Sequence, residues 1–129
     1  MADQSYLNWP FFEDRHRALQ KDINAWAHDQ KPLFSHEKDV DQHCKTLVKA
    51  LGQNGFLTHC VPSAEHPNLD VRSLCVLRES LAYHHGLTDF SLAMQGLGSG
   101  ALSLFGSDEQ KSDYLPAVAR GEKIAAFAL

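Results

Sequence analysis

The 129-residue sequence has few cysteines and no cluster of basic residues. Its three cysteines, Cys44, Cys60 and Cys75, are widely spaced and contain no Cys-x-x-Cys pair, which argues against a disulfide framework and favours reduced thiols. The formal net charge is -4 at pH 7, and the lysines and arginines are scattered among acidic residues. This pattern argues against a nucleic-acid partner, because such proteins carry a concentrated basic patch.

The chain also lacks a long apolar run. No stretch approaches the roughly 20 apolar residues that a membrane-spanning helix requires, and residues 1–8 lack the basic and then apolar pattern of a signal peptide. Internal repeats and low-complexity segments are missing as well. The composition, with 43% apolar and 22% charged residues, is that of an ordinary globular domain, so we expect one soluble domain in the cytoplasm.

Apolar residues recur at three- and four-residue steps along most of the chain, which predicts an all-α bundle of about five helices. The predicted helices span residues 10–30, 36–53, 70–86, 88–105 and 107–120. The third is apolar over most of its circumference, so we expect it to lie centrally in the bundle. Residues 56–67 contain two prolines and are predicted to form a long connecting loop.

Polar residues and glycines mark the predicted helix ends. Asn8 suits the start of the first helix, and Asn68 or Asp70 can cap the third. Ser107 and Gln110 have the spacing of a capping box at the start of the fifth helix.

The end of the fifth helix is predicted from proline and glycine. Pro116 is expected to break this helix near Leu115, because proline cannot donate a backbone hydrogen bond, and Gly121 should close the piece that follows. The apolar residues 123–129 then predict a short C-terminal strand start.

A glycine-rich run, the histidines and the cysteines could each form a binding or catalytic site, but their patterns favour structural roles. The run Gly96-Leu97-Gly98-Ser99-Gly100-Ala101 matches a dinucleotide-binding loop, yet no strand precedes it, so close packing of another segment against the glycines is favoured. The eight histidines show no metal-ligand spacing, which predicts no metal site and satisfied surface histidines. Cys44 and Cys75 lie on apolar stripes and are expected in the core, whereas Cys60 has the better prospect of reactivity.

The order of residues in the last quarter of the chain resembles the acyl-CoA dehydrogenase family. The matching groups are Phe105-Gly106, Asp108-Glu109-Gln110-Lys111, Tyr114-Leu115-Pro116, Gly121-Glu122 and Phe127-Ala128-Leu129. In that family this stretch joins an N-terminal helical domain to a central β domain. The resemblance implies an N-terminal tail at 1–9, the helical domain at 10–121 and the start of the β domain at 122–129, in a chain truncated before the remaining domains.

The same resemblance implies a flavin-dependent α,β-dehydrogenation of an acyl-CoA thioester by the full-length parent. FAD would be the cofactor, acyl-CoA the substrate, electron-transfer flavoprotein the acceptor and a homotetramer or dimer the assembly. The family's carboxylate base belongs to a C-terminal helical domain, so we expect no catalytic residue in this chain. The chain alone should be inactive and should not retain FAD.

Position by position, the resemblance assigns two sets of binding residues. Those expected to line the acyl-chain pocket are Phe90, Ala93, Met94 and Leu97. Those expected at the edge of the flavin site are Phe127, Ala128 and Leu129. The spacing of the first set also fits plain helix core, and the second also fits a buried strand.

Two other functions remain open. One keeps the superfamily but changes the chemistry to an acyl-CoA oxidase or a flavin-dependent oxygenase. The other is a self-contained, non-catalytic helical interaction module with residues 124–129 as a docking tail. A piece of a larger enzyme should expose an apolar patch where the other domains dock, whereas a complete module should not.

Overall fold

The structure is a computed structural model that describes residues 3–35, 39–63 and 67–128. Its α-helices are α1 (Asp14–Asp29), α2 (Val40–Gln53), α3 (Val71–His84), α4 (Gly86–Phe105) and α5 (Asp108–Ala119). Short 3-10 helices lie at Ser5–Asn8, Lys31–Phe34 and Phe56–Cys60. The described ranges contain no β-strand, and the predicted all-α bundle is confirmed.

Helix α3 lies between α1 and α4, as its composition predicted. Helix α2 packs on α4, while α5 packs on α4 and on the 3-10 helix at Phe56–Cys60. The apolar core joins all five helices, and its buried members are Ile23, Val48, Leu51, Phe56, Leu57, Cys60, Val61, Leu77, Leu81, Leu92, Leu115 and Val118. Among the described residues, no helix is long and apolar enough to cross a bilayer.

The first three helix starts are set by side chains that meet free backbone N–H groups. The predicted cap at Asn8 is wrong: Phe12 N–H bonds to the Trp9 carbonyl in a turn, and α1 begins only after Glu13. For α2, Asp39 accepts the backbone N–H of Gln42 at 3.0 Å, and the predicted start at residue 36 lies outside the described residues. The cap of α3 is Asp70, one of the two predicted candidates.

The capping box at the start of α5 is confirmed. The backbone N–H of Gln110 donates to Ser107 Oγ at 3.2 Å, and that of Ser107 donates to Gln110 Oε1 at 2.9 Å. The predicted break near Leu115 is wrong, because Pro116 lies inside one continuous helix. Proline removes a single N–H there, and the buried Leu115 and Val118 on either side keep the helix packed on the core.

Gly121 ends α5 as predicted, with a φ of 70°. The N–H of Gly121 bonds to the Val118 carbonyl at 3.0 Å, and the N–H of Glu122 bonds to the Ala117 carbonyl at 2.9 Å. This pair of bonds satisfies carbonyls that the helix end would leave unpaired.

Two connecting segments differ from prediction. Residues 56–60 form a 3-10 helix that carries Phe56, Leu57 and Cys60 into the core, so this part of the predicted loop is a structural element. Residues 124–128 have no regular secondary structure. A strand needs the backbone of a neighbouring strand to pair with, and nothing in the described ranges supplies one, so the predicted strand start is not formed.

Candidate functional site

Helix α4 has its polar side turned toward the core. The buried polar residues of this helix are Thr88, Ser91, Gln95, Ser99 and Ser103. The Ser91 hydroxyl donates to the Leu87 carbonyl at 2.8 Å, and the Ser99 hydroxyl donates to the Gln95 carbonyl at 2.6 Å. Because the Ser91 and Ser99 hydroxyls are satisfied within their own helix, these small polar residues can occupy the buried side and let neighbouring segments approach closely.

The opposite side of α4 is apolar and faces solvent. Its residues, which we call the outer face of α4, are Phe90, Ala93, Met94, Leu97, Ala101 and Leu104. Phe90, Leu97 and Leu104 recur at seven-residue steps and are 57%, 54% and 68% exposed. Residues at this spacing line up along one side of a helix, here over about 21 Å. An uncharged apolar strip of this kind makes the outer face of α4 a candidate binding surface.

All four residues predicted to line an acyl-chain pocket lie on this outer face. Phe90 and Leu97 are more than half exposed, while Ala93 and Met94 are partly buried. The alternative interpretation, that Phe90 and Leu97 are core residues, is therefore wrong. The structure brings the four residues together on one strip; their role in substrate binding stays a prediction.

The chain after α5 returns across α4. The backbone N–H of Ala125 donates to the Gln95 side-chain oxygen at 3.0 Å. A Cβ added to Gly98 would lie 2.7 Å from the Ala126 nitrogen, which is closer than side chains approach. The predicted close packing against the glycines is thus confirmed at Gly98, whereas Gly100 faces open space.

The residues predicted at the flavin edge follow this crossing point. Phe127 is 51% exposed and Ala128 is exposed, whereas Leu129 lies outside the described residues. The exposed ring of Phe127 is flat and apolar and offers a stacking surface, and its role at the edge of a flavin site stays a prediction. They do not form a closed pocket by themselves.

A shallow groove of about 400 Å³ borders the same segment. Its lining residues, from α4, α5 and the chain after α5, are Gly98, Ser99, Leu102, Tyr114, Val118, Lys123, Ile124 and Ala125. The Lys123 ammonium lies 5.0 Å from the centre of the Tyr114 ring. Neither Phe127 nor Ala128 lines this groove, so it is separate from the predicted flavin contacts.

A charged cluster that we did not predict joins the starts of α1 and α3. His16 is fully buried; its Nδ1 accepts the Glu13 backbone N–H at 2.9 Å, so Nε2 carries the proton and donates to Asp70 at 2.8 Å. Ser73 and Arg15 also contact the Asp70 carboxylate. Partial burial raises the pKa of Asp70, but the bonds from His16 and Ser73 and the charge of Arg15 outweigh it and hold the pKa well below its usual range.

The three cysteines are placed differently from prediction. Cys60 is fully buried, its thiol lies 3.6 Å from the Leu92 carbonyl, and burial raises its pKa to about 12. It is therefore an inert core thiol. Cys75 is exposed on the outer side of α3, and Cys44 is half-buried. The apolar stripe of α3 extends past the part that its neighbours cover, which is why the core assignment of Cys75 is wrong.

The histidines are not all on the surface. Besides His16, His43 is buried and its Nε2 donates to the Leu33 carbonyl at 2.8 Å. His84 Nε2 meets the Asn24 side-chain oxygen at 2.8 Å. In the part of the chain that the structure describes, no group of three His, Cys, Asp or Glu side chains is placed to hold a metal ion.

Comparison with known proteins identifies the family. Residues 13–122 match the family model described as acyl-CoA dehydrogenase, N-terminal domain. The chain is 32% identical over 123 residues to a probable acyl-CoA dehydrogenase of Bacillus subtilis, and 31% identical over 123 residues to a 3-(aryl)acrylate reductase of Clostridium sporogenes. It is 30% identical over 120 residues to a probable acyl-CoA dehydrogenase of Mycobacterium leprae.

The chain therefore belongs to the acyl-CoA dehydrogenase family and carries its N-terminal domain. The three alignments cover 92%, 92% and 90% of this chain. They cover only 20%, 32% and 30% of the relatives, so the chain spans between a fifth and a third of the length of these proteins.

Proposed function

We propose that residues 10–121 act as the N-terminal helical domain of a flavin-dependent acyl-CoA dehydrogenase, with 1–9 as a tail and 122–129 as the start of its β domain. Such an enzyme introduces a double bond between Cα and Cβ of an acyl-CoA thioester. The exposed apolar outer face of α4 carries this proposal. It is a surface without charge or hydrogen-bonding groups, which suits an alkyl chain and the domains that enclose it.

The outer face of α4 is proposed to form one wall of the acyl-chain pocket. Phe90, Met94 and Leu97 would contact the alkyl chain, and the small Ala93 would leave space between the larger side chains. Each methylene removed from water contributes about 0.8 kcal/mol, so a strip about 21 Å long can account for much of the binding of a chain of several carbons.

FAD is the proposed cofactor, with Phe127, Ala128 and Leu129 at the edge of its site. When bound, the flavin accepts the hydride that leaves Cβ of the substrate. The residues of this chain would hold the substrate tail, support the ring edge and exclude water. In the family that this chain resembles, the base that takes the α-proton belongs to a C-terminal helical domain. We therefore place the base outside this chain and propose that the chain alone is inactive.

The wider setting of the enzyme is also a proposal. Electron-transfer flavoprotein would accept the electrons, the assembly would be a homotetramer or dimer, and the location would be cytoplasmic.

The Clostridium relative supports the proposed α,β-dehydrogenation, because an acrylate also has its double bond between Cα and Cβ of an acyl group.

The test compares two lysine substitutions in the protein expressed from the complete reading frame that encodes this chain. Leu97→Lys places a charge on the outer face of α4, and Val71→Lys places the same charge on α3, where Val71 is 66% exposed. Anaerobic reduction of the flavin by acyl-CoA is followed by absorbance. Leu97→Lys should raise at least tenfold the acyl-CoA concentration that half-saturates the rate of flavin reduction, and Val71→Lys should leave that concentration unchanged. Equal effects of the two variants would contradict the proposed pocket wall.

A further inference from the structure

The largest polar side chain on the buried side of α4 belongs to Gln95. It is 1% exposed; its Oε1 accepts the N–H of Ala125 at 3.0 Å, and its Nε2 donates to the Ser91 carbonyl at 3.4 Å. Because a backbone N–H can only donate, the oxygen of the side-chain amide must be the atom that faces Ala125. A buried amide is strongly unfavourable without such partners, so the conformation of Gln95 is tied to the segment that crosses it.

A second contact fixes the same crossing. Gly98 lies three residues after Gln95, and a Cβ there would meet the Ala126 nitrogen at 2.7 Å and the Ala125 carbonyl carbon at 2.8 Å. The backbone of the segment therefore lies directly on α4 at this position. The hydrogen bond at Gln95 selects which residue sits there, and the absent side chain at Gly98 makes the close approach possible.

We propose that Gln95 is a positioning residue of the dehydrogenase site. It holds residues 124–128, which lead to the proposed flavin edge, in a fixed position on α4, the helix whose outer face is the proposed wall of the acyl-chain pocket. This inference rests on the proposed function. Gln95 follows Met94 directly on α4, and Phe127 lies only two residues after Ala125. Two residues span at most about 7 Å, so the bond to Ala125 restricts where Phe127 can lie.

The kinetic consequence follows from the geometry of hydride transfer. One side of α4 faces the proposed substrate tail, and the segment held by Gln95 leads to the proposed flavin edge. A displacement of about 1 Å between reacting groups can lower a rate about 100-fold. Loss of the Gln95 bond should thus reduce the rate of the chemical step more than it weakens substrate binding.

The first arm of the test uses this chain alone and does not depend on flavin. Gln95→Met keeps the length of the side chain and removes the acceptor for the Ala125 N–H. NMR hydrogen exchange of the ¹⁵N-labelled chain should show the Ala125 amide exchanging about five- to tenfold faster, as expected for one lost hydrogen bond. Ser103→Ala is the matched control, because Ser103 is buried on the same side of α4 and its hydroxyl has no partner among the described residues. An Ala125 exchange rate that is equal in Gln95→Met and wild type overturns the proposal.

The second arm uses the flavin-loaded protein from the complete reading frame. Gln95→Met should lower kcat about 10- to 100-fold with KM for acyl-CoA within about twofold, and it should shift the visible circular dichroism of the flavin. Ser103→Ala should leave kcat, KM and spectrum unchanged. If Gln95→Met fails to fold, Ala125→Pro removes the same N–H from a residue outside the helices and should give the same fall in kcat.

The outcomes of this second arm separate the two proposals. An unchanged kcat in a yellow, active Gln95→Met or Ala125→Pro protein overturns the positioning role and leaves the proposed function intact. A wild-type protein without flavin overturns the proposed function, and the positioning role with it.

Discussion

Replacing Asp70 should destabilise the fold more than replacing an exposed helix cap, because its carboxylate caps α3 and also accepts hydrogen bonds from the buried His16 and Ser73. Asp70 accepts the Arg72 backbone N–H at 3.1 Å as the cap of α3, and it accepts a hydrogen bond from Nε2–H of the fully buried His16 at 2.8 Å. Loss of a cap costs about 1 kcal/mol. Leaving a buried donor such as His16 Nε2 unpaired costs roughly 1 to 3 kcal/mol more. Asp70→Ala should therefore lower the free energy of unfolding by about 2 to 4 kcal/mol.

The matched control is Asp39→Ala at the start of α2. Asp39 is exposed, and its carboxylate accepts the backbone N–H of Gln42 at 3.0 Å as a helix cap. This variant should lose only about 1 kcal/mol. Urea unfolding at pH 7, followed by far-UV circular dichroism, gives both values. If Asp70→Ala loses no more stability than Asp39→Ala, the hydrogen bond between the buried His16 and Asp70 does not contribute as we describe.

The Asp70 carboxylate also makes the free energy of unfolding depend on pH. The folded-state pKa of Asp70 lies below that of the unfolded chain, so the unfolded chain takes up the proton first as the pH falls. The contribution of Asp70 is thus complete above the ordinary Asp pKa of about 3.9 and is lost as the pH falls below it. Asp70→Asn should lack this part of the acid destabilisation, which urea titrations at a series of acid pH values would show.

Two further predictions concern thiols and glycines. With Ellman's reagent and a Cys44→Ser variant, which removes the half-buried thiol, the exposed Cys75 should react fast in the folded chain and Cys60 only on unfolding; a Cys44→Ser/Cys75→Ser variant that keeps a fast phase would refute this. Gly100→Ala should stabilise α4 by up to about 1 kcal/mol, since its Cβ meets nothing within 4 Å. Gly52→Ala should instead destabilise by roughly 1 to 3 kcal/mol, because its Cβ would lie 2.3 Å from the Arg120 carbonyl. Thermal unfolding of both variants checks the opposite signs.

The sequence predicted the helices well because their signals are local. Apolar periodicity located all five helices, and the short-range pairing of Ser107 with Gln110 located the start of α5. Errors arose where tertiary packing overrides a local rule. Pro116 stays inside a helix held by the core, and residues 56–60 fold inward because their apolar side chains find room between the helices.

Burial was harder to predict than secondary structure. The sequence shows that α4 has apolar and polar sides, but it does not show which side meets the other helices. The rule that large apolar residues are buried would turn Phe90 and Leu97 toward the core. In the structure, the residues with small hydroxyl groups and Gln95 lie on the buried side instead. The Asp70 cluster was missed because His16 and Asp70 are 54 residues apart, although the three-residue step from Glu13 to His16 was a signal for a helix start.

Flavin reduction by substrate tests the central claim most directly. The protein expressed from the complete reading frame that encodes this chain is purified and titrated anaerobically with acyl-CoA thioesters of increasing chain length. We predict a yellow protein whose flavin absorbance is bleached by acyl-CoA and returns faster with electron-transfer flavoprotein than with oxygen. A colourless protein, or a flavin that acyl-CoA does not reduce, would contradict the account, and rapid reoxidation by oxygen with release of peroxide would identify an oxidase.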